Sequence, residues 1–250
     1  MPRVLVEVDP SLRALLPRRE RSGRLGREVA TTETVAHLLQ SVGVPRTEVG
    51  EVLIDGRRVE RDALRTTHLL DAATAVVRAR RRPQRHSGRF LLDVHLGALA
   101  RRMRLLGVDV AYDPGADDPE LAERSAADGR VLLTRDRGLL FRSAVPDGAL
   151  LRSDDVDEQL RDMLDRFALE LTPWGRCLRC GAVLTRVSAA EVAAELEHGT
   201  RRTYCSFSRC TGCSQVYWRG AHSRRLDAIV EGARKPDGRR ITENRHTGDR

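Results

Sequence analysis

Four short apolar runs between residues 89 and 154 each stop at, or just before, an aspartate. Phe90-Leu91-Leu92 ends at Asp93, and Val108 to Tyr112 ends at Asp113; Val131 to Thr134 leads to Asp136, and Ala149-Leu150-Leu151 leads to Asp154. Between these runs the hydrophobic period changes from strand to helix. Leu96, Leu99, Ala100, Met103 and Leu106 form one stripe, with Arg101, Arg102 and Arg104 elsewhere on the wheel. Asp117-Asp118-Pro119-Glu120 opens a second helix, closed by Asp128-Gly129. A third helix, over 156–169, has Val156, Leu160, Met163, Leu164 and Phe167 on one face, and one of Asp154 and Asp155 caps it. Strands alternating with helices predict an α/β domain with a parallel sheet over residues 89–170. The carboxyl ends of such strands share one edge, where ligands bind, so the four aspartates are expected to meet there.

The flanking segments follow other patterns. Val4, Val6 and Val8 alternate as in a half-buried strand, and Arg24 to Ala30 is its expected partner. Thr31 and Thr32 are candidate caps for a helix bearing Val35, Leu38, Leu39 and Val42, ended by Gly43 and Pro45. Val52-Leu53-Ile54 runs into Asp55-Gly56, a hairpin signal, and Ala75 to Ala79 is a last strand of this α+β unit over residues 1–79. Residues 80–88 (RRRPQRHSG) hold no apolar side chain and are expected to form a basic linker, either solvated or in contact with phosphates. A cysteine-bearing unit over 171–225 contains a short helix from Ala189 to Leu196. From Glu231 to residue 250 no period is seen, and a disordered tail is expected.

Charge narrows the partners. The chain has 250 residues and formal net charge +8, carried almost wholly by arginine, with Lys235 the only lysine. That balance favours a polyanion over an acidic protein or a neutral metabolite. No run of roughly 18 apolar residues suggests a membrane span. The N-terminus lacks a signal-peptide pattern, and a cytoplasmic location is the expectation.

Two clusters carry candidate chemistry. Like charges as close as four gathered aspartates need a cation, and hard oxygen ligands suit Mg²⁺ or Mn²⁺. For Asp118 the alternative is a helix cap. Cys177-x-x-Cys180 and Cys210-x-x-Cys213 have the spacing of a four-thiolate structural zinc site, a zinc ribbon, with Cys205 left over. Tyr204, Phe207, Tyr217 and Trp218 crowd the second pair among several arginines, including Arg219, Arg224 and Arg225. They serve either as the small unit's core or as a stacking surface for bases.

The β-β-α-β-β order of residues 1–79 resembles a ubiquitin-like β-grasp. Gly43 to Gly56 (GVPRTEVGEVLIDG) resembles the same region of the sulfur carriers of thiamine and molybdopterin synthesis. Those carriers act through a free Gly-Gly terminus, which is missing after Val77, so a docking or RNA-contacting module is expected, open to a protein partner. Arg89 to Asp113 (RFLLDVHLGALARRMRLLGVDVAYD) and Gly129 to Arg137 (GRVLLTRDR) resemble the ribonuclease domain named after the carboxy-terminal part of the Mut-7 exonuclease, of PIN-like fold. The likeness covers about 89–170 and continues into the cysteine segment, and a similar β-grasp precedes this domain in some bacterial members. The resemblance implies a metal-dependent ribonuclease whose carboxylates hold Mg²⁺ or Mn²⁺. By position Asp93 and Asp136 would be the metal ligands, Asp118 and Asp154 would complete the catalytic set, and Arg104 and Arg135 would hold substrate or brace carboxylates. His95 stands where some relatives carry an acidic residue. A non-catalytic RNA-binding adaptor is one rival reading. A sulfur-transfer or RNA-modification accessory is the other.

Overall fold

The computed structural model describes residues 3–220 and 223–234. Its first unit is a five-stranded sheet of β1 (Arg3–Val8), β2 (Arg24–Glu28), β3 (Val49–Ile54), β4 (Arg57–Val59) and β5 (Thr74–Ala79). The order is β2-β1-β5-β3-β4, with β1 and β5 parallel and the other neighbours antiparallel. One helix, α1 (Val35–Ser41), buries Val35, Leu38 and Leu39 in the cluster that holds Val4, Val6 and Val8. This is the expected β-grasp. Thr34 caps α1 in place of Thr31 or Thr32: its hydroxyl accepts from the His37 N–H, and a bridge to His68 fixes it there. Asp55 and Gly56 both have positive φ (46° and 79°), as a tight type I′ hairpin requires. The Asp55 carboxylate accepts from Thr74 N and Oγ1 and from Ala73 N, tying that turn to β5.

The second unit is a four-stranded parallel sheet of β6 (Arg89–Leu92), β7 (Asp109–Tyr112), β8 (Val131–Thr134) and β9 (Gly148–Leu150), in order β7-β6-β8-β9. Helices α2 (Gly97–Leu105), α3 (Asp118–Asp128), α4 (Arg137–Phe141) and α5 (Val156–Phe167) connect or follow the strands. Strand periodicity sends alternate residues to opposite faces. Phe90, Leu92, Leu133 and Ala149 join α2 and α5 on one side. Leu91, Leu132 and Leu150 join α3, α4 and the β-grasp core on the other. The β-grasp therefore forms part of the second layer of the central sheet.

Polar contacts lock that arrangement. Glu48 accepts from the Leu150 N–H (2.6 Å) and the Arg166 guanidinium (3.0 Å), with both charged side chains buried. Arg80 reaches Asp147 (2.5 Å), and Arg137 donates to the carbonyl of Leu15 (2.7 Å). The expected linker is likewise built in. Arg82 is paired with Asp162 and Asp165, Gln84 is buried, and the His86 ring packs on Phe90 and Phe167. Arg80 and Arg82 thus have carboxylate partners brought close by the fold, which composition alone does not reveal.

The cysteine-bearing unit is an antiparallel sheet of β10 (Leu184–Val187), β11 (Phe207–Cys210) and β12 (Val216–Trp218), with short helices α6 (Ala189–Val192) and α7 (His198–Thr203) between the first two strands. A last helix, α8 (Ser223–Arg234), corrects the expectation of disorder from Glu231. Leu226, Ile229, Val230 and Ala233 fall at i, i+3, i+4 and i+7 and pack into the core around α2 and α5. The expected tail from 235 to 250 lies outside the described residues. Among the described residues no helix is long and apolar enough to cross a membrane.

Candidate active site and metal centre

The strand order reverses between β6 and β8, because the chain leaves β6 for β7 on one side and then crosses back to β8. In open α/β sheets, ligands bind at the carboxyl ends of the strands flanking this reversal. Asp93 follows β6, and Asp136 follows β8.

Asp93 is 3% exposed. One carboxylate oxygen accepts from the His95 N–H (2.8 Å), making Asp93 the cap of the 3₁₀ turn that leads into α2. The other accepts from Thr134 Oγ1 and from the Arg135 N–H (3.1 Å). Thr134 Oγ1 in turn accepts from the Asp136 N–H (2.8 Å), so one buried hydroxyl spaces the two aspartates. Asp136 caps α4 through the Gly138 N–H (2.6 Å) and is otherwise exposed. Tyr112, at the end of β7, donates to the Val94 carbonyl (3.0 Å) and packs against Gly97, fixing the turn that carries Asp93.

The gathering of four aspartates expected from the strand ends is not what the structure contains. Asp154 is largely exposed and is paired with Arg135. Asp118 faces Arg142 at 3.7 Å from the first turn of α3, while its neighbour Asp117 takes the capping role through the Glu120 N–H (2.9 Å). Each of these two carboxylates faces an arginine from another loop, Asp154 the one after β8 and Asp118 the one after α4. Asp155 caps α5, as one of that pair was expected to. His95 is exposed, and its main chain, not its ring, contacts Asp93.

Arg104 also departs from expectation. It is 3% exposed and donates to the carbonyls of Val110 (3.1 Å), Leu178 (3.3 Å) and Arg179 (2.8 Å). These bonds join α2, β7 and the first cysteine pair, leaving no open face for a phosphate. Burial lowers its pKa, while the nearby Cys180 and Cys177 sulfurs favour its charge. Thr134 was missed as a site residue. The sequence signals for it were a hydroxyl at the last position of an otherwise apolar strand and its place in the GRVLLTRDR stretch.

The four cysteines of the two pairs are free, and their sulfur atoms lie within 4.8 Å of one another. Cys177 and Cys213 are 3.6 Å apart, and Cys180 and Cys210 are 3.4 Å apart. A tetrahedral ion with metal–sulfur bonds of about 2.3 Å would place sulfurs about 3.8 Å apart, so the set fits one ion with small adjustment. Among the described residues this is the one group of three or more His, Cys, Asp or Glu side chains able to share an ion. Burial opposes ionisation of Cys177, but hydrogen bonds from Tyr217 and from the N–H groups of Cys180 and Arg179 bring its pKa down to about 6. Desolvation and the neighbouring sulfurs push Cys180 up to about 12. Gly181 (φ 83°) lets the first pair press on β7, since a Cβ there would meet the Val110 carbonyl at 2.7 Å. Cys205 is exposed and lies outside the cluster.

No curated protein and no solved structure matches the chain. Residues 1–67 match the family described as Mut7-C ubiquitin. Residues 88–230, more than half of the chain, match the one described as Mut7-C RNAse domain, and the protein belongs to that family.

Proposed function

We propose that the protein is a metal-dependent ribonuclease whose phosphodiester is presented at the carboxyl ends of β6 and β8. The observation that carries this reading is Asp93, a buried carboxylate at the strand reversal, joined through Thr134 to Asp136. Two carboxylates are a workable donor set for Mg²⁺ or Mn²⁺. Mg²⁺ takes one or two protein carboxylates and completes its shell with water and substrate phosphate oxygens. Asp93 accepts three hydrogen bonds and Asp136 one, against about four lone-pair sites per carboxylate, so both retain acceptor capacity. Charge neutralisation at the phosphate and a more acidic attacking water are what the bound cation would contribute.

The chain's own residues supply the rest. Thr134, the His95 and Arg135 N–H groups and the Tyr112-braced turn keep Asp93 in one orientation. Asp136 is held by α4, whose Gly138 N–H fixes one oxygen. Arg135 stands beside this pair with Asp154 as its partner. An entering RNA phosphate would compete with that exposed carboxylate for the guanidinium. Asp154 would thus act through Arg135, while Asp118 is paired with Arg142. We infer further that the four thiols hold zinc in a structural role, since four sulfur ligands leave no open position for substrate.

The test is cleavage of a labelled RNA pool with Mg²⁺, Mn²⁺ or EDTA by wild type, Asp93→Asn and Asp136→Asn. Metal-dependent cuts that vanish in both variants, with folding and zinc content retained, support the reading. Uncut RNA under every condition, with binding intact, would make the protein an RNA-binding adaptor instead.

A further inference from the structure

A second recess lies away from the aspartates, where the cysteine-bearing unit meets α8. It is a cavity of ≈ 310 Å³ walled by Trp174, Leu178, Tyr217, Trp218, Gly220 and Leu226. Trp218 is 40% exposed, the one aromatic among the exposed large hydrophobic side chains of the described residues. Arg219 lies over the Trp174 ring, 5.3 Å from its centroid, and is held by Asp227 at 2.5 Å. Of a chain with two tryptophans and three tyrosines, both tryptophans and one tyrosine therefore face one cavity.

A hydrophobic core alone does not account for this. The core of the cysteine-bearing unit is a separate cluster of Val192, Leu196, Phe207 and Val216, with Tyr204 and Val187 against it. Trp218 adds nothing to that cluster and keeps its ring accessible. Flat aromatic walls next to a guanidinium suit a planar, electron-rich ring carried on an anionic backbone. The surface charge supports that occupant over an apolar peptide. Arg224 and Arg225, at the start of α8, are exposed, and Arg225 is close enough to Arg102 on α2 to disfavour its charge. Arg102 pairs with Asp157 at the start of α5, two residues beyond the Asp155 cap and three beyond Asp154, the partner of Arg135. Arg219, Arg224, Arg225 and Arg102 thus lead from the cavity to the start of α5, and the loop before α5 carries Asp154, the partner of Arg135.

We propose that this cavity holds an unpaired base of the RNA strand whose phosphodiester is presented at Asp93. The proposal rests on RNA being the substrate, and it adds that the strand is single-stranded on the side leading to the cysteine-bearing unit. Length follows from the helix that separates the two places. Trp174 N–H bonds to the Leu105 carbonyl at the end of α2, and Asp93 lies just before its start. Nine α residues and one 3₁₀ turn span roughly 20 Å. That distance corresponds to about six stacked nucleotides at ~3.4 Å each.

The test is equilibrium binding of fluorescently labelled single-stranded RNA of 4 and 12 nucleotides, with heparin as a polyanion without bases. Trp218→Ala and Trp218→Phe are compared with wild type in the full chain, each checked for bound zinc. One lost base stack predicts binding of the 12-mer weakened by about 5- to 150-fold in Trp218→Ala. It also predicts near-wild-type binding in Trp218→Phe, and little change for the 4-mer or heparin. Equal affinity of wild type and Trp218→Ala for the 12-mer would overturn the proposal and leave the cavity to a peptide. A parallel loss of heparin affinity would also overturn it, as would a wild type that binds no RNA. If the pattern holds but no RNA is cut with either metal, the pocket stands and the ribonuclease reading fails by itself.

Discussion

The contact between Glu48 and Arg166 decides whether the β-grasp is a detachable module or part of one fold with the parallel-sheet domain. The two charged side chains are 6% and 4% exposed, and Glu48 also accepts the Leu150 N–H of β9. Glu48→Ala would leave the buried guanidinium with only Asp162, 3.8 Å from its Nε, as a carboxylate partner, and a buried N–H without its acceptor. Breaking one side of a buried pair costs about 3–5 kcal/mol. The orphaned N–H falls within that range, because losses in one network do not add. For a chain of this size, about 2–4 °C of melting temperature accompanies each kcal/mol, so a drop of about 6–20 °C is expected. Glu48→Gln keeps an acceptor and should lose less. Glu48→Met with Arg166→Met removes both charges and leaves only the Leu150 N–H unsatisfied, which costs about 1–3 kcal/mol. The double variant should therefore be more stable than Glu48→Ala.

Thermal and urea unfolding followed by circular dichroism would read these differences. Since Leu91, Leu132 and Leu150 share one cluster with Val4, Val6 and Leu38, wild type should unfold in a single transition. The reasoning is refuted if Glu48→Ala costs less than about 1 kcal/mol. It is also refuted if the variant melts in two steps and only the β-grasp step moves. Either result would mean that the two units do not share a core in solution.

Other perturbations separate positioning from chemistry. Thr134→Val removes the hydroxyl between Asp93 and Asp136; a loss of about 1.5–3 kcal/mol in stability is expected for a bond to a charged group, and kcat should fall while KM for RNA holds. Cys177→Ser should lower bound zinc, measured by elemental analysis, and destabilise the fold, whereas Cys205→Ser should leave one zinc per chain. Arg104→Lys loses the planar fork that reaches three carbonyls; a fall of about 2 kcal/mol with faster zinc release to a chelator and an unchanged KM would confirm a bracing role, and a raised KM alone would contradict it.

The elements legible in the sequence were those whose side chains answer to local periodicity. Alternation placed β1, short apolar runs placed β6 to β9, the heptad-like stripe placed α2, and Asp55-Gly56 placed the β3–β4 turn. The cysteine spacing located the candidate metal centre because two pairs of thiols have few other uses. Long-range partners were harder to see. Arg80 and Arg82 read as part of a basic run that is either solvated or in contact with phosphates, yet their carboxylates come from Asp147, Asp162 and Asp165, about 65 to 85 positions away. Arg104 sat on the polar side of the wheel and is buried all the same, because the cysteine-bearing unit folds back over α2. The aspartates show the same limit at the site itself. Each strand end carries a carboxylate, but the fold set its partner: Asp113 and Asp136 accept from N–H groups of their own turns, whereas Asp154 is neutralised by Arg135. Asp93 escaped that fate because it is buried beside a hydroxyl and two N–H groups, with no guanidinium bonded to it. Those neighbours orient a carboxylate without neutralising it, which leaves its charge available for a cation.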